Sequence, residues 1–250
     1  MNESGPLTEA YRAARAEVLA RIAAACDRSG RDPATVTLVA VSKTVPADAL
    51  RDAVAAGLDL LGENRVQEAA AKIPEVPGAR WHLVGPLQSN KAHPALDVFD
   101  VIESVDSVKL GQRLDRLVPE TRPGRRYPVL IQVNVDRDPA KAGFAPDAVD
   151  AAMPALLELP HLEVRGFMTV GRLTSDPAEA RRTFAGLREL ADGCRSRWPE
   201  LGPELSMGMS DDFEIAIEEG ATIVRVGRAL FGEREETHPH DHGHDHHQGR

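Results

Sequence analysis

Cysteine is nearly missing from this chain: 250 residues hold two, Cys26 and Cys194. Both fall in expected helices far apart in sequence, so no disulfide framework is on offer. They read most simply as reduced, half-buried packing residues of a cytoplasmic protein. Basic excess is missing too. Lys and Arg number 30 against 39 Asp and Glu, a formal charge of −9, which argues against a general nucleic-acid-binding surface. No apolar run approaches a membrane span, and the opening MNESGPLTEAYR has no signal-peptide core. What remains is an ordinary globular balance, 42% hydrophobic and 28% charged, in a length that one α/β barrel would nearly fill.

Apolar residues are absent altogether from HPHDHGHDHH (238–247), which holds six of the nine histidines. With nothing to pack, residues 234–250 are expected to form a disordered tail. Its mobile imidazoles would take Zn, Ni or Cu loosely, but the irregular spacing fixes no coordination geometry and no specific metal site. The barrel domain is therefore bounded at 1–233, with no linker inside it.

The body alternates short apolar runs with amphipathic segments, the βαβα signature. Leu7, Tyr11, Ala14, Val18, Ile22 and Ala25 recur at helical spacing, and Gly30 can end that opening helix. Eight candidate strands follow, near 36–41, 58–61, 80–84, 98–102, 128–135, 162–167, 204–207 and 222–226. Helices fit between them, among them 107–118 and 177–197. In the latter, Asp176-Pro177 supplies the start and Phe184, Leu187, Ala191, Cys194 and Trp198 the buried stripe. Eight such units predict a (β/α)8 barrel behind an extra N-terminal helix, with an open doubly wound sheet as the alternative.

Barrel active sites lie at the C-terminal ends of strands. There the first strand offers Lys43, the second Gly62-Glu-Asn-Arg65, the third His82-Leu-Val-Gly85, the seventh Ser206-Met-Gly-Met-Ser210 and the eighth Arg225-Val-Gly-Arg228. A lysine held against apolar walls is less committed to its charged form and can condense with an aldehyde. Glycine-bearing loops after strands seven and eight let backbone N–H groups approach a phosphate. An amine beside a phosphate cradle suggests pyridoxal phosphate; a Schiff-base aldolase acting on a phosphosugar would use the same parts.

Each residue also has a plainer reading. Lys43 snorkels to water, Asn64 caps a helix over 64–73, and Ser210 caps the helix that follows it. Gly208 and Gly227 serve turns, and Arg225 makes a rim ion pair. His82 is a hydrogen-bonded core residue, while Met168 and Met209 only pack.

Taken in order, AVSKTVPADAL, GENRVQE, WHLVGPLQSNK, RGFMTVG, LSMGMSDDFEIAIEEGAT and VRVGRALFG resemble the YggS/PROSC family of pyridoxal phosphate-binding proteins, across roughly residues 7 to 233. The resemblance implies the barrel of the alanine racemase N-terminal domain. It implies a Schiff-base lysine at Lys43, phosphate held by Ser210 and the backbone of Gly227 and Arg228, Asn64 beside the cofactor, and Arg225 facing the pyridine nitrogen. Two positions depart from the family pattern: Arg65 stands where tyrosine is frequent, and Arg228 where threonine is. The implied role is non-catalytic, sequestering pyridoxal 5'-phosphate in vitamin B6 and amino-acid homeostasis, with PLP-dependent apo-enzymes as implied partners. A weak amino-acid racemase is the alternative. Two-base racemisation needs a group on each face of the substrate carbon, and the sequence shows no second domain to supply one, with His82 as the substitute. The same absence points to a monomer.

Overall fold

The computed structural model describes residues 5–172 and 174–232. The chain runs through α1 (Pro6–Ser29), β1 (Thr37–Val41), α2 (Ala47–Ala55), β2 (Leu60–Glu63), α3 (Val66–Lys72) and β3 (Arg80–Leu83). Next come α4 (Ala92–Val98), β4 (Val101–Val105), α5 (Val108–Thr121), β5 (Tyr127–Gln132) and α6 (Pro146–Leu157). Last are β6 (Leu162–Met168), α7 (Pro177–Arg197), β7 (Glu204–Ser206), α8 (Phe213–Glu218), β8 (Ile223–Val226) and α9 (Arg228–Phe231). All the strands are parallel, each pairs with the next, and β8 closes on β1 with Val39 opposite Arg225. Closure excludes the open sheet.

The helix ends follow from local chemistry. Gly30 takes the left-handed conformation (φ 66°) and its N–H returns to the Asp27 carbonyl, ending α1. The Asp176 carboxylate accepts from the Ala178 N–H at the start of α7, and the Ser107 hydroxyl from the Leu110 N–H at the start of α5. The buried face of α1 comprises Thr8, Tyr11, Val18, Ile22, Ala25 and Cys26. Leu7, expected in that stripe, is 42% exposed; Thr8 takes the inward place and donates to Asp52 at 2.6 Å.

Two expected strands are displaced along the chain. Leu58 is buried, but its N–H reaches back to the Ala53 carbonyl, so it completes the end of α2 and β2 starts at Leu60. Phe99 likewise bonds the Ala95 carbonyl, closing α4, and β4 starts at Val101. β5 ends earlier than expected because the chain turns from the barrel after Val133, whose N–H still reaches the Met168 carbonyl, and the Asn134 N–H bonds the Phe144 carbonyl instead. Cys26 and Cys194 are free and fully buried rather than half-buried. The boundary at 233 and the tail at 234–250 lie outside the described residues.

Strand alternation divides the core in two. Outward residues such as Leu61, Leu83, Ile131, Phe167 and Val224 pack under the helices in the larger cluster. Val39, Leu60, Val84, Leu130, Met168 and Ile223 form a small apolar plug inside the barrel. Each such side chain contributes about 1.5–3 kcal/mol by leaving water. Toward the C-terminal ends of the strands the interior turns polar.

Candidate functional site

The polar residues of that upper interior are set by the same alternation. On β8, Ile223 joins the plug and Arg225, two residues on, enters the barrel above it. Arg225 is 4% exposed, so it is not a rim ion pair. Its Nη1 donates to Ser206 Oγ at 2.6 Å and its Nη2 to the Thr169 carbonyl at 2.7 Å. Ser206, on the adjacent β7, donates in turn to Glu103 Oε2 at 2.5 Å. The other carboxylate oxygen of Glu103 lies 2.6 Å from His82 Nδ1. A chain of hydrogen bonds thus crosses the barrel from β3 through β4 and β7 to β8.

The charges in this chain depend on one another. Burial works to raise the Glu103 carboxyl, but the His82 hydrogen bond and charge, Arg225 and the Ser206 hydroxyl outweigh it and hold Glu103 below its ordinary value. Burial lowers Arg225, opposed by Glu103 and Asp212, and a guanidinium stays protonated through that shift. Asp212 is raised by burial, against the Met209 N–H and the Arg225 charge. His82 is a hydrogen-bonded buried residue, as its plainer reading had it.

Lys43 lies two residues past β1 and is exposed, which agrees with its plainer reading as a side chain reaching water and not with an apolar enclosure. It sits in a turn closed by the Val45 N–H on the Ser42 carbonyl at 3.0 Å, and the next residue, Thr44, has φ 66°. Asn64 directly follows β2. It is not the helix cap, since Arg65 holds that position before Val66. Gly85 packs on the Asn64 backbone so closely that a Cβ there would lie 2.3 Å from the Asn64 carbonyl oxygen. Met209, anticipated as packing, is 36% exposed.

Ser210 does not cap α8; Asp212 occupies that place. Ser210 Oγ instead accepts from the N–H groups of Gly227 and Ala229, at 3.3 and 3.4 Å. Two backbone donors at the start of α9 therefore converge on one hydroxyl, all three groups being of the kind that hold phosphate oxygens. Gly227 has φ −115°, within reach of other residues, whereas Gly208 has φ 92° and meets the Phe213 backbone. The two departures point to acidic neighbours: Arg65 to Glu68 at 3.2 Å, and Arg228 to the Asp211 carboxylate.

Ser210, Arg225, Gly227, Lys43 and Asn64 thus belong to the ends of β7, β8, β1 and β2, four consecutive positions around the closed barrel. Glu103 is not among the site residues expected from the sequence, and Ser206 enters there only as the first residue of the stretch that ends the seventh strand. Their signal was a carboxylate inside the apolar run VIESV and a serine ending ELS.

A parallel eight-stranded barrel with an amine, a buried guanidinium and two converging backbone N–H groups on adjacent strand ends has the form of a cofactor-binding barrel. The model of the family "Alanine racemase, N-terminal domain" matches residues 16–235. The "Pyridoxal phosphate homeostasis protein" of Pseudomonas aeruginosa is 48% identical over 225 residues, covering 88% of this chain and 94% of that one. Its Escherichia coli K12 namesake is 40% identical over 230 residues, covering 88% and 95%. PipY of Synechococcus elongatus PCC7942, solved with PLP bound, superposes with a TM-score of 0.75 at 44% identity, over 86% of this chain and 100% of PipY. The alanine racemase of Clostridium difficile, 15% identical, shares the fold alone (TM-score 0.60, over 81% of this chain and 54% of that one). This chain belongs to the alanine racemase N-terminal domain family, among the pyridoxal phosphate homeostasis proteins.

Proposed function

We propose that this protein binds pyridoxal 5'-phosphate without catalysing a reaction of its own, and serves vitamin B6 and amino-acid homeostasis. The observation that carries this reading is the gathering of Lys43, Asn64, Ser210, Arg225 and Gly227 on four adjacent strand ends. The cofactor supplies an aldehyde, and Lys43 the amine that condenses with it as a Schiff base, releasing water. Ser210 with the N–H groups of Gly227 and Ala229 binds the phosphate, exchanging the long contacts they make with each other. Arg228 contributes its backbone, its side chain being turned toward Asp211. Arg225 faces the ring nitrogen as a charged donor and favours the unprotonated ring, a poor electron sink, which suits a carrier. PLP-dependent apo-enzymes are the natural recipients. The free, buried cysteines are in keeping with a reducing cytoplasm.

Borohydride reduction of the protein mixed with pyridoxal phosphate, read by peptide mass spectrometry, tests this. The adduct is expected on Lys43 and lost in Lys43→Ala, with weak phosphate-dependent binding retained. Labelling mainly on Lys91, which lines a rim cavity beside Asn64, or on Lys141, which caps the Val170 and Gly171 carbonyls, would overturn the assignment.

One observation favours a second reading. The His82–Glu103 pair has the form of an oriented base, which a weak amino-acid racemase would need. Rapid α-proton exchange of amino acids in D₂O with racemisation, lost in His82→Gln, would establish it.

A further inference from the structure

Ser42, the residue before Lys43, is fully buried, and each of its polar groups is engaged. Its N–H donates to the Gly62 carbonyl at 2.8 Å, and its hydroxyl to Glu63 Oε1 at 2.9 Å. Its carbonyl accepts from Val45 N–H and from Lys72 Nζ, both at 3.0 Å. Lys72 Nζ also lies 2.6 Å from Glu63 Oε1, in a pair whose side chains are 14% and 0% exposed. Glu63 ends β2 on its outer face and Lys72 ends α3, so the pair spans strand and helix behind the turn that carries Lys43.

We infer that Glu63 and Lys72 are positioning residues for Lys43, a buried ion pair that fixes Ser42 and thereby the turn presenting the amine. This rests on the proposed cofactor chemistry at Lys43. A buried ion pair is a poor choice for stability alone, because well-packed apolar residues of the same volume do as well or better. Here the other oxygen of Glu63 has no hydrogen-bond partner among the described residues, so desolvation is not fully offset. The expense is concentrated one residue from the reactive amine. Thr44 adds a second indication, since a β-branched residue at φ 66° persists only where its surroundings over-determine it. The hydrogen bonds on Ser42 provide that constraint from one side.

The test uses the full chain carrying Glu63→Gln with Lys72→Met, which removes both charges and so avoids stranding one of them, together with Lys72→Arg alone. In the cofactor-free protein, amide exchange at Ser42 and Val45 should rise about tenfold in the double variant, with β5 and β6 unchanged. Adduct formation between pyridoxal phosphate and Lys43 should slow by about tenfold or more, the usual scale for a small misplacement of a reacting group. Binding of pyridoxine 5'-phosphate, which has no aldehyde, should stay within about twofold, because the phosphate cradle is untouched. Lys72→Arg should restore much of the rate. Wild-type adduct rates in the double variant would overturn the inference, as would equal losses for both ligands. If the wild-type protein forms no adduct, the proposed function fails; unchanged exchange at Ser42 and Val45 would then sink the clamp separately.

Discussion

Arg225 and Glu103 carry opposite charges into one barrel interior and are bridged by the Ser206 hydroxyl, 2.6 Å from the first and 2.5 Å from the second. The arrangement fixes the hydroxyl proton, which points at the carboxylate because the guanidinium can only donate. It also joins residues more than a hundred positions apart in sequence.

Removing the bridge or its anion should have different costs. Ser206→Ala leaves two buried charged groups each short of a partner and should cost about 1–3 kcal/mol. Glu103→Gln strands the buried Arg225 and should cost about 3–5 kcal/mol. Arg65→Ala breaks an exposed pair and should change stability by about 1 kcal/mol or less. Urea unfolding would rank the three, and a cost for Arg65→Ala equal to that for Glu103→Gln would contradict the burial argument.

Acid should act through Glu103. Its folded value is depressed below the ordinary 4.5, so its contribution is present above that pH and is lost as the pH falls through the lower folded value. Asp212 has the opposite sign: raised from 3.8, it favours folding below that pH and loses the advantage as the pH rises through its folded value. Melting temperature followed between pH 2 and 6 should therefore fall less steeply toward acid in Glu103→Gln. Asp212→Asn should steepen that acid limb instead, and identical profiles for both variants would refute the assignment.

Arg225→Glu places a second carboxylate opposite Glu103 across Ser206. The single variant should lose about 3–5 kcal/mol, and adding Glu103→Gln should recover part of it. In whichever variant folds and takes up pyridoxal phosphate, a carboxylate near the ring nitrogen favours its protonation and makes a better electron sink. Amino-acid α-proton exchange in D₂O should then rise modestly above wild type. Exchange at the wild-type level would reduce Arg225 to a stabilising role.

Deleting residues 238–250 removes six histidines and no apolar side chain. Melting temperature in metal-free buffer and uptake of pyridoxal phosphate should be unchanged, while retention on an immobilised-nickel column should largely disappear. A large fall in melting temperature would show that these residues pack on the barrel.

The barrel was legible because each unit announces itself locally, by an apolar run followed by a helical stripe. The placement of Lys43, Ser210 and Arg225 at strand ends was legible because strand ends can be counted from such runs. Leu58 and Phe99 misled because an apolar residue that closes a helix looks, in one dimension, like the first residue of the strand after it. Glu103 was passed over for a different reason. Its partners stand on β3, β7 and β8, and only closure of the sheet brings them to it. Exposure of Lys43 was the plainer reading of a lysine at a strand end; what one dimension hid was the tying of Ser42, the residue before it, to Glu63 and Lys72.

The pairing of β1 with β8 has a consequence for synthesis. Lys43 leaves the ribosome about 180 residues before Gly227, an interval of roughly 10–40 s at about 5–20 residues per second. Throughout that time the amine is already made, while the end of β8 that pairs beside its strand does not yet exist. On the proposed reading of the site, a nascent chain offers pyridoxal phosphate only an ordinary lysine until the eighth strand docks beside the first.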